Sequence, residues 1–371
     1  MKFTCAKNEL KDALQVANRA VAVKPQTPIL AGIYLRAEGS TLEMQANNFS
    51  LGIITKIAVN TEIPGEVVVV GKYFQEIVAK LPGETVTVTY EVGDNTVYIK
   101  SGASNYNLLA MPSEDFPKVK SQEVVTSFKI RASALKNLIR RTVFACANDD
   151  ASRPIFTGCL FEIAGSSITV AATNTHRIAV KKDTIADEIE AMNFIVPSST
   201  LKDLARMLDA STDNLVSIDY SGKYIAFTFD NVFMTSRLIE GQFPPYEKLV
   251  SAPTDIHAKV NVGEMQSAVD RVALISKETE YNTIRFIFTR DGLNISSNSP
   301  EVGKAEEHIQ ATLEGEEIDI SFNVKYISEV LNVLESENCR IGLTKPLAPI
   351  DIREEDGDDY IYIVTPVRTN N

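Results

Sequence analysis

Apolar residues recur along this chain with two alternating periods. Phe74, Ile77 and Leu81, then Leu201, Leu204 and Leu208, then Ile327, Val330 and Leu334 fall at i, i+3 and i+7. That is the stripe of a short amphipathic helix. The three starts lie 127 and 126 residues apart, and each follows a β-rich run: 66–70, 193–196 and 318–322. A second series precedes them. Residues 3–10, 128–135 and 258–265 each alternate like a strand and then open a helix. These helices continue through Leu14 and Ala17, through Leu138 and Ile139, and through Ala268, Val269 and Val272.

Between the helices lie paired strand signals. Residues 85–91 with 96–101, 215–220 with 224–229, and 284–289 with 293–297 flank the turn sequences Gly93-Asp94-Asn95, Ser221-Gly222-Lys223 and Asp291-Gly292, as hairpins require. Phe116-Pro117 and Phe243-Pro244, again 127 residues apart, close the first two repeats. Residues 121–126 and 251–255 read as connectors. Self-similarity at this period, with both half-motifs in the same order, predicts an α+β chain of three repeated domains, 1–121, 122–253 and 254–371.

The remaining bulk properties narrow the class. At 371 residues the chain is too long for one ordinary core. Val67-Val68-Val69-Val70 is typical of its apolar runs and far too short to span a bilayer. The opening residues lack the apolar segment that secretion needs. Cys5, Cys146, Cys159 and Cys339 have no metal-site spacing and read as buried free thiols of a reducing cytoplasm.

Net charge is −12, which at face value opposes nucleic-acid binding. Its distribution changes that picture. Counted over the six predicted helices (7–24, 72–80, 131–141, 199–208, 263–277, 324–334), charge sums to +8, leaving −20 for the remainder. Lys136, Arg140 and Arg141 are expected to face away from Leu135, Leu138 and Ile139, and Lys7, Lys11 and Gln15 away from Leu10, Leu14 and Ala17. A shared, mildly basic helical surface would attract phosphates without reading bases. A repeat array must also cap its ends or close on itself, and head-to-tail closure gives a ring.

Specific motifs carry a family resemblance. Met1-Lys2-Phe3-Thr4, Pro28-Ile29-Leu30, residues 172–179 (Ala-Thr-Asn-Thr-His-Arg-Ile-Ala), Phe243-Pro244-Pro245-Tyr246, Phe322-Asn323-Val324-Lys325-Tyr326 and Pro366-Val367-Arg368 resemble the β subunit of bacterial DNA polymerase III, along the whole chain. The resemblance implies the DNA clamp fold: three clamp domains per chain in a head-to-tail homodimeric ring, helices lining the hole and antiparallel sheets outside. It implies a cytoplasmic, non-catalytic processivity factor of DNA replication, without cofactor, that encircles double-stranded DNA regardless of sequence. A clamp loader would place it, and the replicative polymerase α subunit and repair proteins would dock through short peptides.

Carried over residue by residue, the peptide pocket comprises Phe156, Thr173, Thr175, His176, Arg177, Ile178, Pro244, Lys248 and Leu249. Tyr281, Asn323, Tyr326, Leu347, Pro349, Ile363, Thr365, Pro366, Val367 and Arg368 complete it from the third domain and tail. DNA-facing candidates are Lys24, Lys72, Lys80, Lys136, Arg140, Arg153 and Lys202. The ring interface pairs the strand around Tyr106 with the helix near Leu274 and Ile275. The chain departs from the family pattern at Thr175, where many members have glycine, and at Thr365, where an apolar residue is usual. It also runs past Arg368 into Thr369-Asn370-Asn371, and Ser198 and Ser199 stand where some members are basic.

Two rival chemistries are weaker. His176 near Thr173, Asn174 and Arg177, with Cys159 as a nucleophile, would be an enzyme's arrangement. None of His176, His257 and His308 has metal-site spacing. The acidic run 354–359 lacks EF-hand spacing and reads as a solvated loop. A single-strand binder would interleave exposed aromatics with basic residues. There is no Trp, and most Phe and Tyr fall on strand or helix stripes.

Overall fold

The computed structural model describes residues 1–148, 152–211, 214–276 and 282–368. Among the described residues a strand runs directly into a helix six times. Lys2–Ala6 enters α1 (Lys7–Ala17), Gly65–Val70 enters α2 (Gly71–Lys80), and Thr126–Arg131 enters α3 (Ala132–Thr142). Arg177–Pro197 enters α4 (Ser198–Met207); after a single-turn α5 (Glu247–Val250), Ile256–Asn261 enters α6 (Val262–Ser276) and Ile318–Asn323 enters α7 (Val324–Leu331). The helices bury the stripes that the periodicity predicts: Leu10, Leu14 and Ala17 on α1, Leu135, Leu138 and Ile139 on α3, and Ala268, Val269 and Val272 on α6. Each buried leucine contributes about 1.5–3 kcal/mol relative to exposure. Asn323 caps α7, its side-chain oxygen accepting from Lys325 N at 3.0 Å.

The chain divides into two compact units, Met1–Ser133 with Arg206–Leu238, and Ala134–Ala205 with Ile239–Asn371. They do not coincide with the sequence repeats, because the middle repeat is shared out between them. The first unit carries a thirteen-stranded antiparallel sheet. Strand 51–58 pairs with strand 232–237, so first-repeat and second-repeat strands are continuous within it. Helix α1 packs on α2 and on strands 41–47 and 51–58. The second unit holds a seven-stranded and a four-stranded sheet, with α6 packed on α7 and on strands 292–299 and 303–309.

The predicted hairpins are present at 85–91 with 96–101 and at 215–220 with 224–229, and the third spans 283–289 with 292–299. Left-handed residues close them: Asn95 at φ 53°, Gly222 at 75° and Gly292 at 139°.

One expectation is corrected. Arg141 does not face solvent. It is 2% exposed, paired with Glu354, bonded through Nε to the Val333 carbonyl at 3.2 Å, and set over the Tyr360 ring. A charge at position 141 next to an apolar stripe looks solvated in sequence; only the fold supplies its buried partner. The four cysteines are buried and free, as expected, yet Cys146 and Cys159, 13 residues apart, meet with sulfurs 3.5 Å apart. Burial lifts the Cys5 and Cys339 thiols to about 12, so neither is a ready nucleophile.

Candidate functional site

A long hairpin in the second unit organises the site. Strands 158–173 and 177–197 are joined by Asn174-Thr175-His176. Side-chain bonds write the turn. Thr173 Oγ1 accepts from Thr175 N (3.1 Å) and donates to Arg177 O (2.6 Å), and Asn174 Oδ1 accepts from His176 N (3.1 Å) and Arg177 N (3.2 Å). This geometry places Thr175 at φ 76°, a left-handed position that a β-branched residue rarely adopts. Strand 360–364 pairs alongside, and Thr365 prolongs it, its N and its Oγ1 both donating to His176 O at 2.9 and 3.0 Å.

Beside that sheet edge lies a cavity of about 270 Å³. Its lining is Phe156, Thr173, Thr175, His176, Arg177, Ile178, Phe243, Pro244, Pro245, Tyr246, Leu249, Pro349, Ile363 and Thr365. Ile178 and Ile363 belong to the same apolar cluster as Leu160, Val180, Phe243 and Tyr246, so the floor is a core surface opened to solvent. Phe243 and Tyr246 meet edge to face at 6.3 Å, and the Tyr246 hydroxyl donates to Glu162. Burial, and then that carboxylate, push the Tyr246 phenol far above its ordinary value, so it stays a neutral donor. Helix α5 presents Leu249 at the mouth, half exposed.

Among the described residues no carboxylate lines the cavity, and its polar side chains are few: Thr173, Thr175, His176, Arg177, Tyr246 and Thr365. The arrangement suits an apolar anchor whose backbone is fixed by a few polar contacts. Arg177 is the structural hub there. Buried, it pairs with Glu329, donates to the Phe144 carbonyl, and lies over the Tyr326 ring at 4.5 Å and the Phe144 ring at 5.3 Å. Burial pulls its guanidinium down, but Tyr362 and Glu329 outweigh that and hold it above its usual range.

Comparison with known proteins locates the fold. Residues 1–120, 129–245 and 248–368 match, in order, the N-terminal, central and C-terminal domains of the DNA polymerase III beta subunit. The beta sliding clamp of Bacillus subtilis is 33% identical over 380 residues, covering all of both chains. That of Escherichia coli K12 is 30% identical over 369 residues, covering 99% of this chain and all of the other. The crystal structure of the Bacillus subtilis sliding clamp superposes with a TM-score of 0.93 at 32% identity over all of both chains. A Pseudomonas aeruginosa clamp bound to griselimycin also gives 0.93, at 29% identity and full coverage of both.

The chain belongs to the DNA polymerase III β-subunit family, the β sliding clamps. Its fold is the three-domain clamp fold, and the family is a non-catalytic accessory subunit of that polymerase.

Within this β-subunit chain the structure gathers eleven of the nominated pocket residues around one cavity: Phe156, Thr173, Thr175, His176, Arg177, Ile178, Pro244, Leu249, Pro349, Ile363 and Thr365. Others lie off its lining. Lys248 and Leu347 are exposed, and Asn323 serves as the α7 cap. Tyr326 stacks near His176 at 6.4 Å and meets Asn174 Nδ2 through its hydroxyl at 3.4 Å, behind the wall. Val367 N donates to Ser321 O at 2.8 Å, tying down the segment that holds Pro366 and Arg368. Tyr281 lies outside the described residues, as does the tail 369–371. Phe243, Pro245 and Tyr246, read from sequence as part of a family motif but not as pocket residues, also line the cavity. Their signal was the unbroken Phe-Pro-Pro-Tyr run, too apolar for an ordinary loop.

The nominated basic residues differ in state. Lys24, Lys72, Lys80 and Lys202 are exposed, Lys24 at φ 55°. Lys136 is half-buried, Arg153 lies over the Phe156 ring at 5.1 Å, and Arg140 is paired with Glu335. Tyr106 is 47% exposed on strand 104–111. That strand meets strand 65–70 only at Ala110 and Met111, so among the described residues its outer edge over 104–109 is open. In the second unit Leu274 is 67% exposed, Ile275 is half-buried, and strand 303–309 forms the edge of its sheet. Among the described residues no group of three His, Cys, Asp or Glu is placed to hold a metal, and no helix is long and apolar enough to cross a membrane.

Proposed function

We infer that this chain is a processivity factor for a DNA polymerase, a head-to-tail homodimeric ring that encircles duplex DNA and tethers its partners through the cavity at Thr175 and Thr365. The observation carrying this reading is the match of all three clamp domains, in order, along the whole chain. On this reading its domains are 1–121, 122–253 and 254–371. The open edges at 104–109 and 303–309, with Tyr106, Leu274 and Ile275 near them, are the surfaces that join chains. Lys24, Lys72, Lys80, Lys136, Arg140, Arg153 and Lys202 supply weak phosphate contacts, so the ring holds DNA by topology and slides. The replicative polymerase α subunit and repair proteins insert a short peptide into the cavity, and a clamp loader opens the ring in the cytoplasm.

The test is retention on DNA. The protein is loaded onto a nicked circular plasmid with a clamp loader and ATP, filtered free of unbound protein, and the circle is then linearised. Loss of the protein on cutting is expected; equal retention on linear and circular DNA overturns encirclement.

A further inference from the structure

The internal repeat reproduces the pocket as well as the fold. In the first unit the turn Asn47-Asn48-Phe49-Ser50 joins strands 41–47 and 51–58. Three of its side-chain bonds match those at 173–177, and one differs: Thr173 Oγ1 donates to Arg177 O, whereas Asn47 Nδ2 donates to the Pro117 carbonyl at 2.9 Å. Phe49 N donates to Asn47 Oδ1 (2.8 Å), as Thr175 N does to Thr173 Oγ1. Ser50 N and Leu51 N both donate to Asn48 Oδ1 (3.1 and 2.8 Å), as His176 N and Arg177 N do to Asn174 Oδ1. Phe49 sits at φ 69° against 76° for Thr175. The flanking strand also corresponds. Gly52 pairs with Thr235 as Ile178 pairs with Ile363, and Arg237 N donates to Ser50 O at 2.9 Å as Thr365 N does to His176 O. The Phe116-Pro117 segment stands where Phe243-Pro244 stands in the other unit.

Between these parts the first unit holds a groove of about 230 Å³, against about 270 Å³ in the second. Its walls are chemically different. Phe49 is 63% exposed, a bulky side chain in a strained backbone position that keeps its ring in solvent. Lys118, Lys120 and Tyr224 line the groove as well, and among the described residues no carboxylate does, in a chain of net charge −12. Lys118 already faces Glu66 at 3.5 Å, which leaves Lys120 as the principal cation for a ligand.

We propose that this groove is a second docking site, for an extended peptide that sets an apolar anchor against Phe49 and places a carboxylate at Lys120. The turn and the strand edge supply the same backbone frame as the first cavity. In the register of the two Phe-Pro segments Lys118 stands where the second unit has Pro245 and Lys120 where it has Glu247, and that change of charge selects acidic sequences. The proposal stands apart from the function assigned to the cavity in the second unit, because it names different residues and a different peptide chemistry.

The full-length protein is titrated with two fluorescein-labelled pentapeptides, Glu-Leu-Glu-Leu-Phe and Ser-Leu-Ser-Leu-Phe, at low ionic strength. Lys120→Glu should weaken the glutamate peptide at least fivefold and Phe49→Ala at least threefold, with the serine peptide unchanged within twofold. Both side chains are exposed, so these variants fold; circular dichroism verifies it. A photoreactive benzoylphenylalanine in place of the peptide's phenylalanine should cross-link to 47–52 or 117–122. Cross-links confined to 243–249, or a glutamate peptide indifferent to both substitutions, overturn the second site. Leu249→Ala weakening only the serine peptide supports two separate sites. A serine peptide that fails to bind counts against the cavity in the second unit and leaves the proposal to the glutamate arm, where absence of binding overturns it.

Discussion

In the first unit the ion pairs Lys2–Glu62, Arg36–Glu38, Lys56–Glu43 and Lys118–Glu66 lie at the surface, whereas the second unit buries Arg141 against Glu354 and Arg177 against Glu329. The contrast is sharpest at the two related turns. Leu51 follows the first and buries as an ordinary apolar side chain; Arg177 follows the second and buries as an ion. One backbone frame is therefore compatible with two kinds of core. Where the core is charged, removing one partner strands the other in a low dielectric, so those pairs govern how each unit responds to substitution and to acid.

The comparison breaks most forcefully at Glu354. Its carboxylate pairs with Arg141 and also accepts from Glu335 N at 2.6 Å and Ser336 N at 3.2 Å. Glu354→Gln is expected to cost about 3–5 kcal/mol, read as a lower denaturant midpoint with protection lost chiefly in the second unit by hydrogen exchange. Unchanged stability would mean that the pair is replaceable by a neutral bond. Next in size is Arg177→Leu, which makes the second turn resemble the first. A cost of about 3 kcal/mol follows, at the low end because Glu329 is 31% exposed and regains water. Peptide binding should fall along with stability, so the substitution alone does not isolate a binding role.

Acid sharpens the same contrast. Burial raises the Glu354 carboxyl, but Arg141 and the two backbone amides outweigh it and hold it below its ordinary value. A carboxylate depressed on folding stabilises the native state above its unfolded value, about 4.3, and that stability drains away as pH falls through the lower folded value. Hydrogen exchange at pH 7 and near pH 4 should therefore show protection falling faster in the second unit, and Glu354→Gln should flatten that dependence. Parallel loss in both units would count against it.

Smaller effects test the shared frame itself. Thr175→Gly and Phe49→Gly both remove side chains from left-handed positions and should each stabilise by about 1 kcal/mol, strain relief exceeding the entropy glycine adds to the unfolded chain. A gain at one turn only would show that the frames are not equivalent. Smallest is Lys56→Ala, which breaks an exposed pair with Glu43 at 3.3 Å and should move stability by less than about 0.5 kcal/mol.

Much was legible along the chain because local rules suffice for it. The helix stripes, two hairpins with their bounds, and the threefold recurrence follow from periodicity and turn chemistry that a short window contains. The motif at 172–179 likewise marked the residues of one cavity wall. The same reading mistook Arg141 for a solvated residue and did not place Phe243 and Tyr246 in the cavity, because burial depends on what arrives from elsewhere. Glu354 comes 213 residues after Arg141, and Glu329 152 after Arg177. Lys118 and Lys120 carried no role along the chain; only the fold brings them to one groove with Phe49.

Sequence alone determined the repeat, the elements and the family, since each rests on spacing and side-chain pattern along one dimension. Tertiary structure decided which charges are buried, which strand edges stay open and which repeated turn faces which wall. Those outcomes depend on distances between segments remote in the chain, and desolvation attaches its cost only once such segments meet.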